Sequence, residues 1–251
     1  MNKKPNFLVI GAARSGTTLL HSYLLQHPEI FIPKDKRPEP HYFLKSKLFA
    51  EGDEWYQQRF FSEVQNEKAI GEISTSYLFG EKVPERIHAY HSEMKFVVML
   101  REPKARAFSN YWHSSKNGFD KLPFDEAVIL EEERTTKLEG DLIEIAPYSY
   151  IGRSLYVQQF KRYLNYFNPS QFHISLFEEF ILNPFDELNR ICKFLNVDTE
   201  YSWDLIEKEI NKSSPIGHSY SEKTAQMMND LFKSENAELA ELFDLNLDAW
   251  K

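Results

Sequence analysis

The chain has 251 residues, 42% of them apolar, which is enough for one sizeable α/β domain with a full core. Its 30 Lys and Arg against 38 Asp and Glu leave a net charge of −8, which argues against broad binding to nucleic acid or to an anionic membrane but permits a local basic pocket. No run is apolar enough to span a bilayer, no signal-type apolar region follows the N-terminal lysines, and the single cysteine, Cys192, precludes an internal disulfide. A cytoplasmic protein is therefore expected. With no repeat, low-complexity tract or Pro/Gly-rich linker, residues 1–251 read as a single domain.

In chain order, residues 7–10 (Phe-Leu-Val-Ile) form a short apolar run of the kind buried on both faces of a parallel sheet. Gly11 through Gly16 is a loop, and Thr17-Thr18 opens a helix whose Leu19, Leu20, Tyr23 and Leu24 have helical spacing. His27-Pro28 ends that run. A short strand is expected at 30–32, followed by a proline-rich irregular stretch over 34–43. A helix over 53–61, a strand over 69–73, a helix over 84–91 and a strong central strand over 95–101 come next. Helices are then expected over about 103–113, 124–138 and 149–167, a strand over 171–177, and a helix over 184–195 with Asn183 as its cap. Residues 213–219 read as a loop and 222–243 as a helix broken near Asn236. Alternating strands and helices imply an α/β fold with a central, mostly parallel sheet flanked by helices.

The first loop carries the chemistry. Strand, glycine loop and helix make backbone N–H groups converge on an anion, and the helix N-terminus adds partial positive charge. Gly11 and Gly16 have the spacing of the nucleotide-binding pattern G-x-x-x-x-G-K-[ST], but Thr17 stands where its lysine should be. The cation sits inside the loop instead, as Arg14. That suits a shorter, less charged group than a triphosphate, with no obligatory metal. A nucleotide-binding NTPase or kinase, and a non-catalytic nucleotide-binding module, remain the alternatives. Glu85-x-x-His88 followed by His91 is a lone metal-type spacing, for which a solvated helix face is the simpler account.

Gly11-Ala-Ala-Arg-Ser-Gly-Thr-Thr-Leu-Leu20 resembles the 5′-phosphosulfate loop of sulfotransferases that use 3′-phosphoadenosine 5′-phosphosulfate (PAPS), and Met99 through Tyr111 resembles their 3′-phosphate segment. The resemblance implies a P-loop-like three-layer fold and transfer of a sulfuryl group from PAPS to a hydroxyl or amine of a small-molecule or glycan acceptor. It places Arg14, Ser15, Gly16, Thr17 and Thr18 on the 5′ end of the donor and Arg101 with Ser109 on the 3′-phosphate. Ser213 and Ser214 fall in the loop that the family lays over the nucleotide. Arg153 is a further candidate near the donor.

Pro38-Glu39-Pro40-His41-Tyr42-Phe43 is similar to the Lys-Glu-x-His-Phe-Phe segment of glycan sulfotransferases, whose glutamate is the base. Glu39 is accordingly the expected base, and His41 positions the acceptor or shares the proton. Gly71-Glu-Ile-Ser-Thr-Ser-Tyr77 resembles the family's Gly-Glu-Lys-Thr-Pro-x-Tyr, with Ile73 in place of the lysine, so Arg14 becomes the main cation there. Glu72 is either a supporting residue or a salt-bridge partner. Lys34, Lys36, Arg37, Lys45 and Lys47 bracket Glu39 and His41. This bracket and the glycan-type segment together favour a sugar hydroxyl on a partly anionic saccharide or lipid-linked glycan, with a solvated charged loop as the alternative. Tyr42, Tyr77 and Trp112 are either flat faces for its rings or core packing.

Overall fold

The computed structural model describes residues 4–35, 39–206 and 220–250. They fall into two compact units, Met1–Leu100 with Arg162–Lys208, and Arg101–Lys161 with Glu209–Lys251. The first unit holds the whole sheet: β1 (Phe7–Gly11), β2 (Ile30–Phe31), β3 (Ala69–Ile73), β4 (Lys95–Leu100) and β5 (Phe172–Leu176). Their order is β2-β3-β1-β4-β5 and every neighbouring pair is parallel. This is the P-loop-like α/β arrangement, with β1 in the middle.

Burial on both sides explains the apolar strands. Every residue of β1 is buried. Phe7 and Val9 of β1, with Val97 and Met99 of β4, face a core completed by Leu20, Tyr23 and Leu24 of the helix Thr17–Leu24 and Leu188, Ile191, Cys192 and Leu195 of the helix Pro184–Leu195. On the opposite face the Phe96 ring packs edge-on against Tyr163 and Phe167. β3 runs so close to β1 that a Cβ on Gly71 would lie 2.4 Å from the Phe7 carbonyl oxygen. Cys192 is fully buried and burial pushes its thiol up to about 12, which makes it a packing residue.

The second unit is helical, around Ala107, Phe108, Phe124, Val128, Tyr150, Met228 and Phe232. Here the expected long helices are broken. The run expected over 124–138 is two helices, Phe124–Ile129 and Glu131–Thr136, and a further helix, Asp141–Ile145, was not expected. The run over 149–167 is a 3-10 turn, Gly152–Ser154, and a helix, Tyr156–Leu164. A buried carboxylate holds the start of the second run: Glu131 accepts the backbone N–H groups of Tyr150 (2.8 Å), Ile151 (2.7 Å) and Gly152 (2.7 Å).

The last helix, Glu222–Phe243, is continuous through Asn236, since Met228, Phe232 and Leu239 bury one face and Ser221 caps its first turn. A single interior Asn costs too little to break such a helix. Asn183 stands at the cap position of Pro184–Leu195, but its side chain makes no capping hydrogen bond.

Candidate functional site

Ligands of open parallel sheets bind outside the carboxyl ends of the strands. In the first unit those ends of β2, β3 and β1 are adjacent, and a recess opens above them. Residues beyond β1 (Thr17, Thr18, His21), beyond β2 (Pro33, Asp35) and at the end of β3 (Glu72, Ile73) line it together with Glu39 and Pro40.

The loop after β1 is held tightly. The Ala12 N–H donates to the Met99 carbonyl (2.6 Å) and the Ser15 N–H to that of Ala12 (3.2 Å). Arg14 takes a left-handed conformation, φ 74°, and so does Gly16, φ 83°. Gly16 has a second reason to be glycine, because a Cβ there would sit 2.6 Å from the Phe177 ring. The helix beginning at Thr17 has no side-chain cap and no acidic residue in its first turn. Its leading N–H groups therefore have no intrahelical acceptor and carry the positive end of the helix dipole. The Ser15 hydroxyl is fully buried with no hydrogen-bond partner among the described residues. An uncapped helix start, an orphan buried hydroxyl and an arginine in the loop together fit an anionic group.

Glu39 and His41 share this side of the unit. Both oxygens of Glu39 accept from the Thr75 hydroxyl (3.0 Å each), and Oε2 also accepts from the Thr75 N–H (2.9 Å). His41 Nε2 lies 3.4 Å from Glu39 Oε2. The His41 N–H donates to Ser74 Oγ (2.9 Å), and His41 is itself left-handed, φ 52°. The irregular segment thus turns at His41, and hydroxyls of the turn after β3 hold it.

Glu72 resolves as a buried supporting group. It is fully inaccessible to solvent, and its Oε1 accepts from the hydroxyls of Tyr77 (2.7 Å) and Tyr56 (3.2 Å). Burial pushes its carboxyl up to about 7, with the two tyrosine hydroxyls opposing the rise and the nearby Glu39 charge adding to it. Nothing in the sequence marked it as buried. Its partners come from segments 16 and five residues away, each unremarkable alone.

Tyr42 and Tyr77 are completely buried, Tyr42 stacked on Tyr56 at 4.1 Å, so neither offers a face to a sugar ring. Of the basic bracket, Lys34 points to Glu63 at 3.7 Å, while Asp35, Glu39 and Glu72 are among the residues that line the recess. Lys36 and Arg37 lie outside the described residues.

In the second unit Arg101 stands just before the helix Pro103–Lys116, with its carbonyl taking the Tyr156 hydroxyl (2.8 Å). Ser109 lies on that helix's buried face. The Glu102 carboxylate caps the helix, accepting from the N–H groups of Lys104 (3.2 Å) and Ala105 (2.6 Å). Arg153 is buried and donates to the Ile145 carbonyl (2.6 Å), a structural use of its guanidinium. Ser213 and Ser214 lie outside the described residues. Among those described, no group of three or more His, Cys, Asp or Glu is placed to hold a metal ion.

Known proteins resemble the chain over most of its length. The family model of the sulfotransferase domain matches residues 4–240, a span that runs through both units. The mouse heparan sulfate glucosamine 3-O-sulfotransferase 5 is 31% identical over 207 residues, 79% of this chain and 55% of that protein. The Drosophila melanogaster bifunctional heparan sulfate N-deacetylase/N-sulfotransferase is 29% identical over 210 residues, 77% of this chain and 20% of that protein. The chain thus spans about half, or less, of the length of these curated relatives. Among solved structures, a sulfotransferase from Alicyclobacillus acidocaldarius is 31% identical with a TM-score of 0.81, covering 98% of each chain. A mouse sulfotransferase complexed with PAP shares the fold at a TM-score of 0.54 and 14% identity, covering 97% of this chain and 88% of that one.

Proposed function

Because the chain belongs to the sulfotransferase domain family, we propose that it is an enzyme that moves the sulfuryl group of PAPS to a hydroxyl or amine of a carbohydrate or glycolipid acceptor. One observation carries the reading. The first residues of an uncapped helix, Thr17 and Thr18, and a carboxylate suited to be a base, Glu39, line one recess at the carboxyl ends of parallel strands. An anion site and a base side by side are what in-line transfer of a charged group to a neutral nucleophile requires. The missing Walker lysine and the family match disfavour the NTPase and the non-catalytic readings.

PAPS, when bound, supplies the sulfuryl group and its leaving phosphate. The residues present fit that donor. Arg14 contributes the cation, and the N–H groups of Gly16, Thr17 and Thr18 with the Ser15, Thr17 and Thr18 hydroxyls contribute hydrogen-bond donors to the phosphosulfate. Glu39 takes the acceptor's proton as the acceptor attacks, and His41 positions the acceptor or shares that proton. Arg101 and Ser109 are assigned to the 3′-phosphate on the family segment they match, and Ser213 and Ser214 to the same nucleotide on sequence alone. The heparan sulfate relatives support a carbohydrate acceptor.

The family match running across both units supports one functional domain of 251 residues. The single, buried cysteine supports a reducing, cytoplasmic setting, and no described helix is long and apolar enough to cross a membrane. Thermal unfolding tests the assignment. Adenosine 3′,5′-bisphosphate raises the melting temperature, because a ligand that binds only the native state stabilises it, and Arg14→Ala diminishes the rise. Stabilisation by ATP with Mg²⁺ and none by the bisphosphate refutes it. A screen of labelled PAPS against sugar, phenol and amine acceptors then identifies the acceptor class.

A further inference from the structure

We infer that Thr75 is the positioning residue of the proposed base, setting both the direction and the charge of the Glu39 carboxylate. The inference rests on the reading of Glu39 as base, and its structural part stands independently of that reading.

Glu39 lies in a segment without regular secondary structure, so helix or strand geometry does not aim its side chain. The aim comes from the turn after β3. Three alternate residues of the segment are tied to it: Glu39 by Thr75, the His41 N–H by Ser74 Oγ, and the Phe43 N–H by the Tyr77 hydroxyl (3.2 Å). The turn is fixed in its own right. The Ser74 N–H donates to the Val9 carbonyl (3.1 Å), the Leu78 N–H to that of Ile10 (2.8 Å), and the Tyr77 N–H to that of Ser74 (3.0 Å). Val9 and Ile10 are the last apolar residues of β1 before the anion loop. Base and loop are therefore both referenced to one buried strand, and Thr75 is the link that makes this so.

The chemistry follows from the donor count. Thr75 offers two donors, N–H and O–H, to a group that only accepts when ionised. Donors to the charged form favour it, so the carboxylate stays ready to receive a proton. Two anchored oxygens also remove the rotation that would spread the base over several directions. Threonine here is a departure from Gly-Glu-Lys-Thr-Pro-x-Tyr, where the matching residue is proline, which has neither donor.

Thr75→Val keeps the side-chain shape and the backbone N–H but removes the hydroxyl, and Thr75→Ser keeps both donors. In Thr75→Val, kcat falls about tenfold, because the carboxylate keeps only one of its two anchors and is aimed less well. The KM for PAPS and the thermal shift with adenosine 3′,5′-bisphosphate do not change. The ¹³C-carboxyl titration of Glu39 moves to higher pH. Thr75→Ser restores both kcat and the titration. Wild-type kcat with a wild-type Glu39 titration in Thr75→Val overturns the inference. So does a loss that Ser does not restore and that bisphosphate binding shares, since that marks a general structural role. If the unaltered protein transfers no sulfuryl group to any acceptor, the sulfotransferase reading fails, while the Glu39 titration still decides whether Thr75 holds the carboxylate.

Discussion

Glu72→Gln should remove a pH dependence of stability that the wild-type protein carries. Glu72 is completely buried, with its carboxyl pushed up to about 7 chiefly by that burial, against 4.5 for the ordinary group. Below pH 4.5 the carboxyl is protonated in both the folded and the unfolded chain and contributes no difference. Between 4.5 and about 7 the unfolded chain ionises it while the fold holds it neutral, so unfolding is increasingly favoured as pH rises. Above about 7 both forms are ionised and the loss is complete. At about 1.4 kcal/mol per pH unit between the two values, the full loss is about 3 kcal/mol.

Glutamine is neutral throughout and has nearly the same shape. Its amide oxygen can accept from Tyr77 and Tyr56 as Oε1 does. The stability of Glu72→Gln minus wild type is thus flat below pH 4.5, rises by about 3 kcal/mol to pH 7, and is flat beyond. Urea titrations at half-unit pH steps read this difference directly, and melting temperatures should show it as roughly 6–12 °C for a chain of this size. Any constant cost of the amide cancels in the slope. Parallel wild-type and mutant curves from pH 4.5 to 8 refute the argument, since they would mean that Glu72 is charged in the fold at all these values.

Three further outcomes follow from the site. Glu39→Gln keeps the shape of the proposed base but not its basicity, so turnover falls by roughly 10²-fold while bisphosphate affinity measured by calorimetry is nearly unchanged. Gly16→Ala forces a side chain into a left-handed residue at φ 83° and to 2.6 Å from the Phe177 ring. It should lower stability by about 1–3 kcal/mol and abolish the thermal shift with the bisphosphate. Arg101→Ala with Ser109→Ala should narrow the preference for PAPS over adenosine 5′-phosphosulfate, measured as a ratio of kcat/KM values. Full discrimination in the double mutant assigns the 3′-phosphate to other residues.

Elements whose signals are local are legible in the amino-acid sequence. The apolar run ending at Gly11 is β1, the uncapped helix starts at Thr17, the helix Asp53–Phe61 has the expected bounds, and alternation of strands and helices already implied the parallel sheet. The proposed anion loop is legible there too, since glycine spacing, arginine and paired threonines are contiguous in the chain. Local signals did not reveal distant partners such as Glu131, which accepts the N–H groups of residues 150–152. They could not say which aromatics were exposed, and Tyr42 and Tyr77 proved to be core.

Above all they could not pair side chains. Glu39 and Thr75 are 36 residues apart, and Tyr56 reaches Glu72 across 16. Only the parallel packing of β2, β3 and β1 brings the ends of those strands together, and with them the proposed base Glu39, Thr75 and the buried Glu72. Residue type and spacing encode what a segment prefers to be. Whether a carboxylate is buried, charged or correctly aimed depends on solvent exclusion and hydrogen-bond donors supplied by other segments, which exist only once the sheet has formed.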